Sequence, residues 1–468
     1  MNDKPATTSL LSRRSFVTDS MIGSGITVSG MLGTTALLAE QQPRTASKQL
    51  PSPHFPPRAK RVIHLFMNGG PFQADLFDPK PSLVKYAGQK PKGANLLTER
   101  PTGGLLPSPF KFHPCGQSGI PVSELMPKIG EKIDDICVLR SLHADNPNHG
   151  PALLQMNNGT ILPTRPSMGA WFLYGLGTEN QDLPGYIVLC PGKPVRFSIL
   201  WNSAFLPSSC QGTYINHSSM DPQKMIPHLR NPKWSQATQE KQLTLMRQLD
   251  RESQVQRGQN DAFESRIRAM ETAFRMQTRA SDAFDLNRET QATRESYGQG
   301  HFANGCLLAR RLVERGVRFV QVYYGNGQPW DTHSKHNDNV PKLCRAIDQP
   351  IATLLADLKQ RGLLEDTLVV WGGEFGRTPT SENGNGRDHN HHGFSMFMAG
   401  GGVRGGMTYG ETDEFGFKAV ENRMHVHDLH ATILHLLGID HEKLTYHTAG
   451  RDFRLTDVHG NVVKEILA

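Results

Sequence analysis

The chain has 468 residues, with 51 Lys and Arg against 44 Asp and Glu, 37% hydrophobic residues, 45 Gly and 31 Pro. This composition excludes a coiled coil, a collagen-like repeat and a multi-span membrane protein, and leaves a loop-rich globular chain. The formal charge of +7 is scattered, with no basic run interleaved with aromatics, so nucleic acid is not an expected partner.

Residues 1–39 read as an export signal. Ser12-Arg13-Arg14-Ser15-Phe16-Val17 is a twin-arginine pattern, a weakly apolar stretch runs from Met21 to Leu38, and Ala39 is a small residue before a cut. That stretch holds too much Gly, Ser and Thr for a stable membrane span, and no other segment reaches 18 apolar residues. The mature chain is therefore expected outside the cytoplasmic membrane, periplasmic or extracytoplasmic, without a membrane span and exported folded by the Tat machinery. Residues 40–59 read as a polar, Pro-rich linker and residues 60–468 as the folded domain.

In that domain the apolar runs Arg61–Met67, Ile136–Ser141, Tyr186–Leu189, Val317–Tyr323, Thr367–Trp371 and Phe394–Met398 predict strands. Helices are predicted over Asn148–Asn157, Ser167–Gly175, His301–Glu314, Val340–Arg361 and Asp428–Leu437. The charged stretch 234–295, with Leu, Met and Phe at helical spacing, predicts a long helix or helical hairpin inserted into the domain. Strands alternating with helices predict an α/β fold, a mostly parallel central sheet flanked by helices, whose ligands gather beyond the carboxyl ends of the strands. The six cysteines contain no Cys-x-x-Cys, which excludes a zinc ribbon or a redox pair and leaves either one or two disulfides or buried thiols.

Histidine is abundant, 20 in all, nine of them between His389 and His447. Trp330-Asp331-Thr332-His333 continues to His336 as Asp-x-His-x-x-His, where His333 and His336 share a face if helical, and imidazole with carboxylate suits zinc, manganese or iron. A solvated polar loop is the bland reading. Gly372-Gly373-Glu374-Phe375-Gly376-Arg377 would leave Glu374 at the sheet rim and Arg377 ready to hold an anion, unless the two form a buried salt bridge. Arg387-Asp388-His389-Asn390-His391-His392 puts three imidazoles and a carboxylate in five residues. His143 to Pro151 leads into a helix N-terminus, where Asp145 or His149 could act as ligand, base or nucleophile and Asn146 or Asn148 as a cap. Ala399-Gly400-Gly401-Gly402 lacks the strand–turn–helix context of a phosphate loop. His425, His427, His430 and His435 lie on or before an apolar helix and read as structural.

Taken with the twin-arginine signal, Asn68-Gly69-Gly70, Asp75-Leu76-Phe77-Asp78-Pro79-Lys80-Pro81, Trp330-Asp331-Thr332-His333, Gly373-Glu374-Phe375-Gly376-Arg377-Thr378-Pro379, Gly386-Arg387-Asp388-His389 and Gly450-Arg451-Asp452-Phe453-Arg454 carry a resemblance across nearly the whole domain. It resembles an exported bacterial family known as a domain of unknown function (DUF1501 type), related to the alkaline phosphatase and sulfatase superfamily. The resemblance implies an alkaline-phosphatase-like sheet and a dinuclear site for a divalent metal (zinc, manganese or calcium) that hydrolyses sulfate or phosphate esters of small molecules or polysaccharides. It implies metal contacts for Asn68, Asp331, His333, His336, Glu374, Asp388 and His389. Arg377 would orient the anion, and His149 or His392 would move protons. Asp145 falls where a nucleophilic Thr, Ser or Cys is usual, Phe375 falls where a second ligand is usual, and the sulfatase Cys-x-Pro-x-Arg signature is absent. A superfamily fold that has lost turnover and binds an anionic glycan or an envelope partner is the competing expectation, motivated by Phe375 and Asn68.

Overall fold

The structure, a computed structural model, describes residues 52–225, 233–257, 261–278 and 281–468. The twin-arginine segment, with all of residues 1–39, lies outside the described residues, as does most of the linker.

Eleven strands position the site: β1 (Arg61–Phe66), β2 (Ile136–His143), β3 (Tyr186–Leu189), β4 (Thr213–Ile215), β5 (Phe319–Tyr323), β6 (Thr367–Gly372), β7 (Gly376–Arg377), β8 (His389–Asn390), β9 (Phe394–Ala399), β10 (Met407–Tyr409) and β11 (Met424–His425). The central sheet runs β10-β2-β9-β6-β1-β5-β3-β4, with β11 also on β2. Its pairs are parallel except those of β9, which is antiparallel to both β2 and β6. The protein is thus a mixed α/β fold with a large, mostly parallel sheet. β7 and β8 form a separate antiparallel pair.

The strands are near-continuous apolar runs because both faces are covered. Ile63, Leu65, Val320, Val322, Val369 and Trp371 face one core, into which α5 (His301–Glu314) and α6 (His336–Gln360) pack Cys306, Leu308, Ile347 and Leu354. The alternate residues Val62, Phe66, Phe319, Leu368 and Val370 face the other. There α1 (His149–Asn158), α2 (Met168–Leu176) and α7 (Val426–Leu436) contribute Leu153, Trp171 and Ile433. Between residues 234 and 295 lie α3 (Gln236–Arg257) and α4 (Asp261–Thr278), followed by 3-10 turns and a short helix, Gln291–Tyr297. Among the described residues no helix is long and apolar enough to cross a membrane.

The main departure from the sequence reading is in α6, which starts at His336 rather than Val340. His333 stays in the preceding bend, so it and His336 share no helical face. At α7 the cap is His425, whose ring accepts from the His427 N–H while the Asp428 carboxylate accepts from the His425 N–H. All six cysteines are free thiols, five of them buried, so the disulfide alternative falls.

Strand direction fixes where the chemistry gathers. The carboxyl ends of β1, β2, β5 and β6 open on one rim, which brings Asn68, Asp145, the Trp330–His333 loop and Glu374 there. Because β9 runs the other way, its amino end lies on that same rim and delivers β8 and the His389–His392 run to it.

Candidate metal centre

Asp331 stands at the focus of the rim. Its Oδ1 lies 3.0 Å from His333 Nε2, 3.2 Å from His389 Nε2 and 3.3 Å from His149 Nε2. The Nε2 atoms of His333 and His389 are 3.0 Å apart, and all four ligand atoms lie within 4.8 Å of one another. The group is partly screened: the side chains of His389 and His149 keep 3% and 11% of their exposure, those of His333 and Asp331 15% and 23%, so the approach from solvent is on the Asp331–His333 side.

Each of the three imidazoles is held from behind by its own carboxylate. His149 Nδ1 is 2.7 Å from Glu374 Oε1, His333 Nδ1 is 2.6 Å from Glu382 Oε2, and His389 Nδ1 is 2.5 Å from Glu99 Oε2. A carboxylate on Nδ1 fixes the tautomer with the proton on that nitrogen and turns the Nε2 lone pair forward, the arrangement metal-ligating histidines use. Three lone pairs then converge on a carboxylate oxygen. Without a cation that is repulsive, and His149 Nε2 is indeed a buried atom with no hydrogen-bond partner.

Electrostatics point the same way. Burial resists ionisation of Asp331, but its contacts with His149, His333 and His389 and the Arg377 charge outweigh that and hold the carboxyl well below the usual range. Burial pushes His389 down to about 3, with Asp331 opposing and Arg377 assisting. Burial also works against charge on His149 and His333, yet their carboxylate neighbours raise both. The pocket therefore draws positive charge, as protons or as a metal.

The backbone behind the group is built from glycine. Gly69 has φ +117°, and a Cβ there would stand 2.4 Å from Asp331 N, so only glycine lets the β1 turn and the Asp331 loop pass. The Gly69 N–H reaches Glu374 Oε1 and Oε2 at 3.1 and 3.2 Å. His149 is the first residue of α1, whose cap is Asn148, accepting from the Gly150 N–H at 3.1 Å.

The other residues singled out in the sequence are placed as follows. Asn68 is buried and donates to the carbonyls of Gly325 and Gly327, tying β1 to the loop after β5. Arg377 is fully buried and donates to Gly69 O, Gly70 O, Arg387 O and, at 2.6 Å, Asp331 Oδ1, so its guanidinium faces Asp331 and main chain rather than solvent. His336 turns away to Asp75 Oδ2 at 2.7 Å and Thr332 Oγ1 at 2.6 Å. Asp388 accepts the Arg100 N–H at 2.7 Å, and its Oδ1 is buried without a partner, 3.9 Å from His333 Nδ1. Asp145 is exposed and held by His425 at 3.1 Å, and His392 binds Leu97 O at 3.0 Å; neither joins the four. Phe375 packs its ring 4.8 Å from that of His149 and 4.7 Å from that of His389, an apolar wall.

Glu99 and Glu382 were not legible beforehand. The need of each ligand histidine for an Nδ1 partner announces that such carboxylates exist, but Glu99 sits in a patternless polar stretch and Glu382 in a turn signal, Ser381-Glu382-Asn383-Gly384.

Among solved structures, the chain is similar to Ps i-CgsB, at 11% identity over 81% of this chain and 72% of that one, with a TM-score of 0.37. It is also similar to the PsFucS1 sulfatase from Pseudoalteromonas sp. (14% identity, 82% and 69% covered, TM-score 0.33). A mutant of TAB5 alkaline phosphatase with Mg bound is a third (11% identity, 83% and 99% covered, TM-score 0.32). At these TM-scores the likenesses carry nothing about this chain's chemistry. No curated protein matches the sequence. Over residues 59–467 the sequence matches the family described as Protein of unknown function (DUF1501), and the chain belongs to that family.

Proposed function

We propose that the chain is an exported metal-dependent hydrolase of sulfate or phosphate esters, with His149, Asp331, His333 and His389 as the metal ligands. One observation carries this: three imidazole Nε2 atoms and one carboxylate oxygen within 4.8 Å, each imidazole anchored by a separate carboxylate. Ligand bonds of 2.0–2.1 Å in a tetrahedron require donors about 3.3 Å apart; four of the six donor separations run from 3.0 to 3.3 Å, and those from His149 to the other two imidazoles lie within 4.8 Å. Three imidazole donors favour zinc over manganese and over calcium, which prefers six to eight oxygens.

When bound, such an ion supplies Lewis acidity to an ester oxygen and lowers the pKa of a water beside it. The chain's own groups do the rest. Arg377 holds the Asp331 carboxylate in place from the buried side. Glu374, Glu382 and Glu99 hold the rings. Phe375 excludes water behind His149 and His389, and the open Asp331–His333 side admits the ester. Glu374 acts here as a positioning residue rather than a ligand, and Arg377 as a tether rather than an anion clamp.

A second reading has one observation in its favour. Four protein donors complete a tetrahedron, as in structural zinc sites. On that reading the metal staples the rim of an anionic-glycan or envelope-partner binding protein without turnover.

Metal analysis of the purified chain, followed by a panel of aryl sulfates, phosphomonoesters and phosphodiesters, separates the two. The hydrolase reading expects about one transition metal per chain, lost in Asp331→Ala/His389→Ala, and turnover on one class that disappears with it. Metal without turnover on any class favours the staple; no metal refutes both.

A further inference from the structure

Beside the metal centre lies a cleft of about 660 Å³ lined by Leu96, His143, Asp145, His392, Lys418 and Arg423 among others. Three chain segments serve both places. The turn after β2 puts Asp145 in the cleft and His149 in the centre. The chain from β8 puts His389 in the centre and His392 in the cleft. Residues 96–99 give Leu96 to the cleft, the Leu97 carbonyl to His392 at 3.0 Å and Glu99 to His389. The Ala144 N–H donates to His391 O at 2.9 Å and closes the first two segments on each other. His392 is three positions beyond His389, which bounds the distance between their backbones to about 10 Å.

The walls are cationic. Lys418 and Arg423 are exposed and make no ion pair among the described residues. His143 lines the cleft as a neutral ring, burial pushing it down to about 4, and the Asp145 carboxylate, hydrogen-bonded to His425 and Gln155, is among the described lining residues the one charge opposed to the two cations. Cations lining a concave wall concentrate the field on an entering anion. Arg423 offers a fork that fits two oxygens of one oxyanion, and Lys418 a point charge.

We propose that this cleft binds a second sulfate or phosphate group of an extended polyanion, so that the protein engages chains carrying repeated esters rather than isolated monoesters. That the neighbouring ester then lies at Asp331 and His333 rests on the hydrolase reading; binding in the cleft does not.

The test uses the full metal-loaded chain and a fluorescein-labelled dextran sulfate oligosaccharide followed by anisotropy. Wild type is expected to bind it, and Lys418→Ala/Arg423→Ala to bind about tenfold more weakly, the loss of two exposed ion pairs, with a shallower salt dependence and unchanged metal content. A charge-matched control, Lys359→Ala/Lys443→Ala, is expected to bind as wild type. Absence of binding by wild type, a double variant that binds as tightly as wild type, or equal weakening in the control would each overturn the proposal. Dextran sulfate binding without metal or turnover would refute the hydrolase reading and leave the cleft; turnover of an aryl sulfate without dextran sulfate binding would do the reverse.

Discussion

Substituting Glu374→Gln separates a ligand from the residue that aims one. Glu374 is fully buried, 2.7 Å from His149 Nδ1 and within 3.2 Å of the Gly69 N–H through both oxygens. In Gln the carbonyl oxygen can still accept from both donors, but the amide NH₂ then faces the Gly69 N–H, two donors head to head. A buried donor left unmet costs about 1–3 kcal/mol, and a neutral amide grips the His149 N–H less tightly than a carboxylate does. Loss of such an outer partner typically weakens metal binding about 10–100-fold, which is about 1.4–2.7 kcal/mol. His333→Ala removes a donor outright and should lower affinity far more. Competition of each variant against a chromogenic chelator at fixed pH gives the affinities. The reasoning fails if Glu374→Gln abolishes binding as completely as His333→Ala, which would make Glu374 a ligand, or if its affinity equals that of wild type.

Asp331→Ala should lose the metal and also destabilise the metal-free chain by about 1–3 kcal/mol, because the buried Arg377 guanidinium loses its carboxylate partner and keeps only the carbonyls of Gly69, Gly70 and Arg387; Asp331→Asn keeps an acceptor and should cost less, as urea titration of the metal-free proteins will show. Gly69→Ala should give little folded protein by circular dichroism, since its Cβ would stand 2.4 Å from Asp331 N at φ +117°; normal yield and metal content would refute the close-approach argument. Stability should fall on acidification for reasons remote from the metal: burial pushes His64 and His430 down to about 3 from 6.5. The folded chain holds both rings neutral while the unfolded chain protonates them, so stability is full above pH 6.5 and drops as pH falls toward 3, by about 1.4 kcal/mol per unit for each ring. Urea midpoints between pH 7 and 4.5 should show this slope, and His64→Gln should remove one ring's share; an unchanged slope refutes the assignment.

The strands were legible because a sheet covered on both faces writes itself as uninterrupted apolar runs, and Thr367–Trp371 or Tyr186–Leu189 could be read directly. Their order and the reversal of β9 could not, since pairing is a contact between residues hundreds of positions apart. Asp331, His333 and His389 stood out as clustered imidazole and carboxylate in polar loops. His149 was visible only as a helix-start residue of several roles, and it becomes a candidate ligand because α1 begins with its first turn aimed at Asp331. Glu374 advertised itself through the glycines around it, but those glycines make room for neighbours: Gly372 lies against Met396, Gly373 against Met67 O and Gly70, and Gly376 against Phe394. His336 looked like the partner of His333 on the assumption of a common helix; the helix starts three residues after His333, and the His336 ring pairs with Asp75 instead.

The dependence of the centre on one reversed strand has a mechanical consequence. Were β9 parallel to its neighbours, its amino end would lie on the opposite edge of the sheet, and β8 with His389 would be carried away from Asp331 by the length of a six-residue strand, about 20 Å. Backbone pairing and packing fix the reversal together: β9 is hydrogen-bonded antiparallel to both neighbours, with Phe397 opposite Trp371 and Val138, and the Phe397 ring stacks 5.1 Å from that of Trp371. The candidate ligand His389 therefore rests on apolar side chains remote from it, and a large-to-small change at Phe397 should loosen His389 together with His149, whose strand β2 meets the rest of the sheet through β9, while Asp331 and His333, which follow β5, are spared.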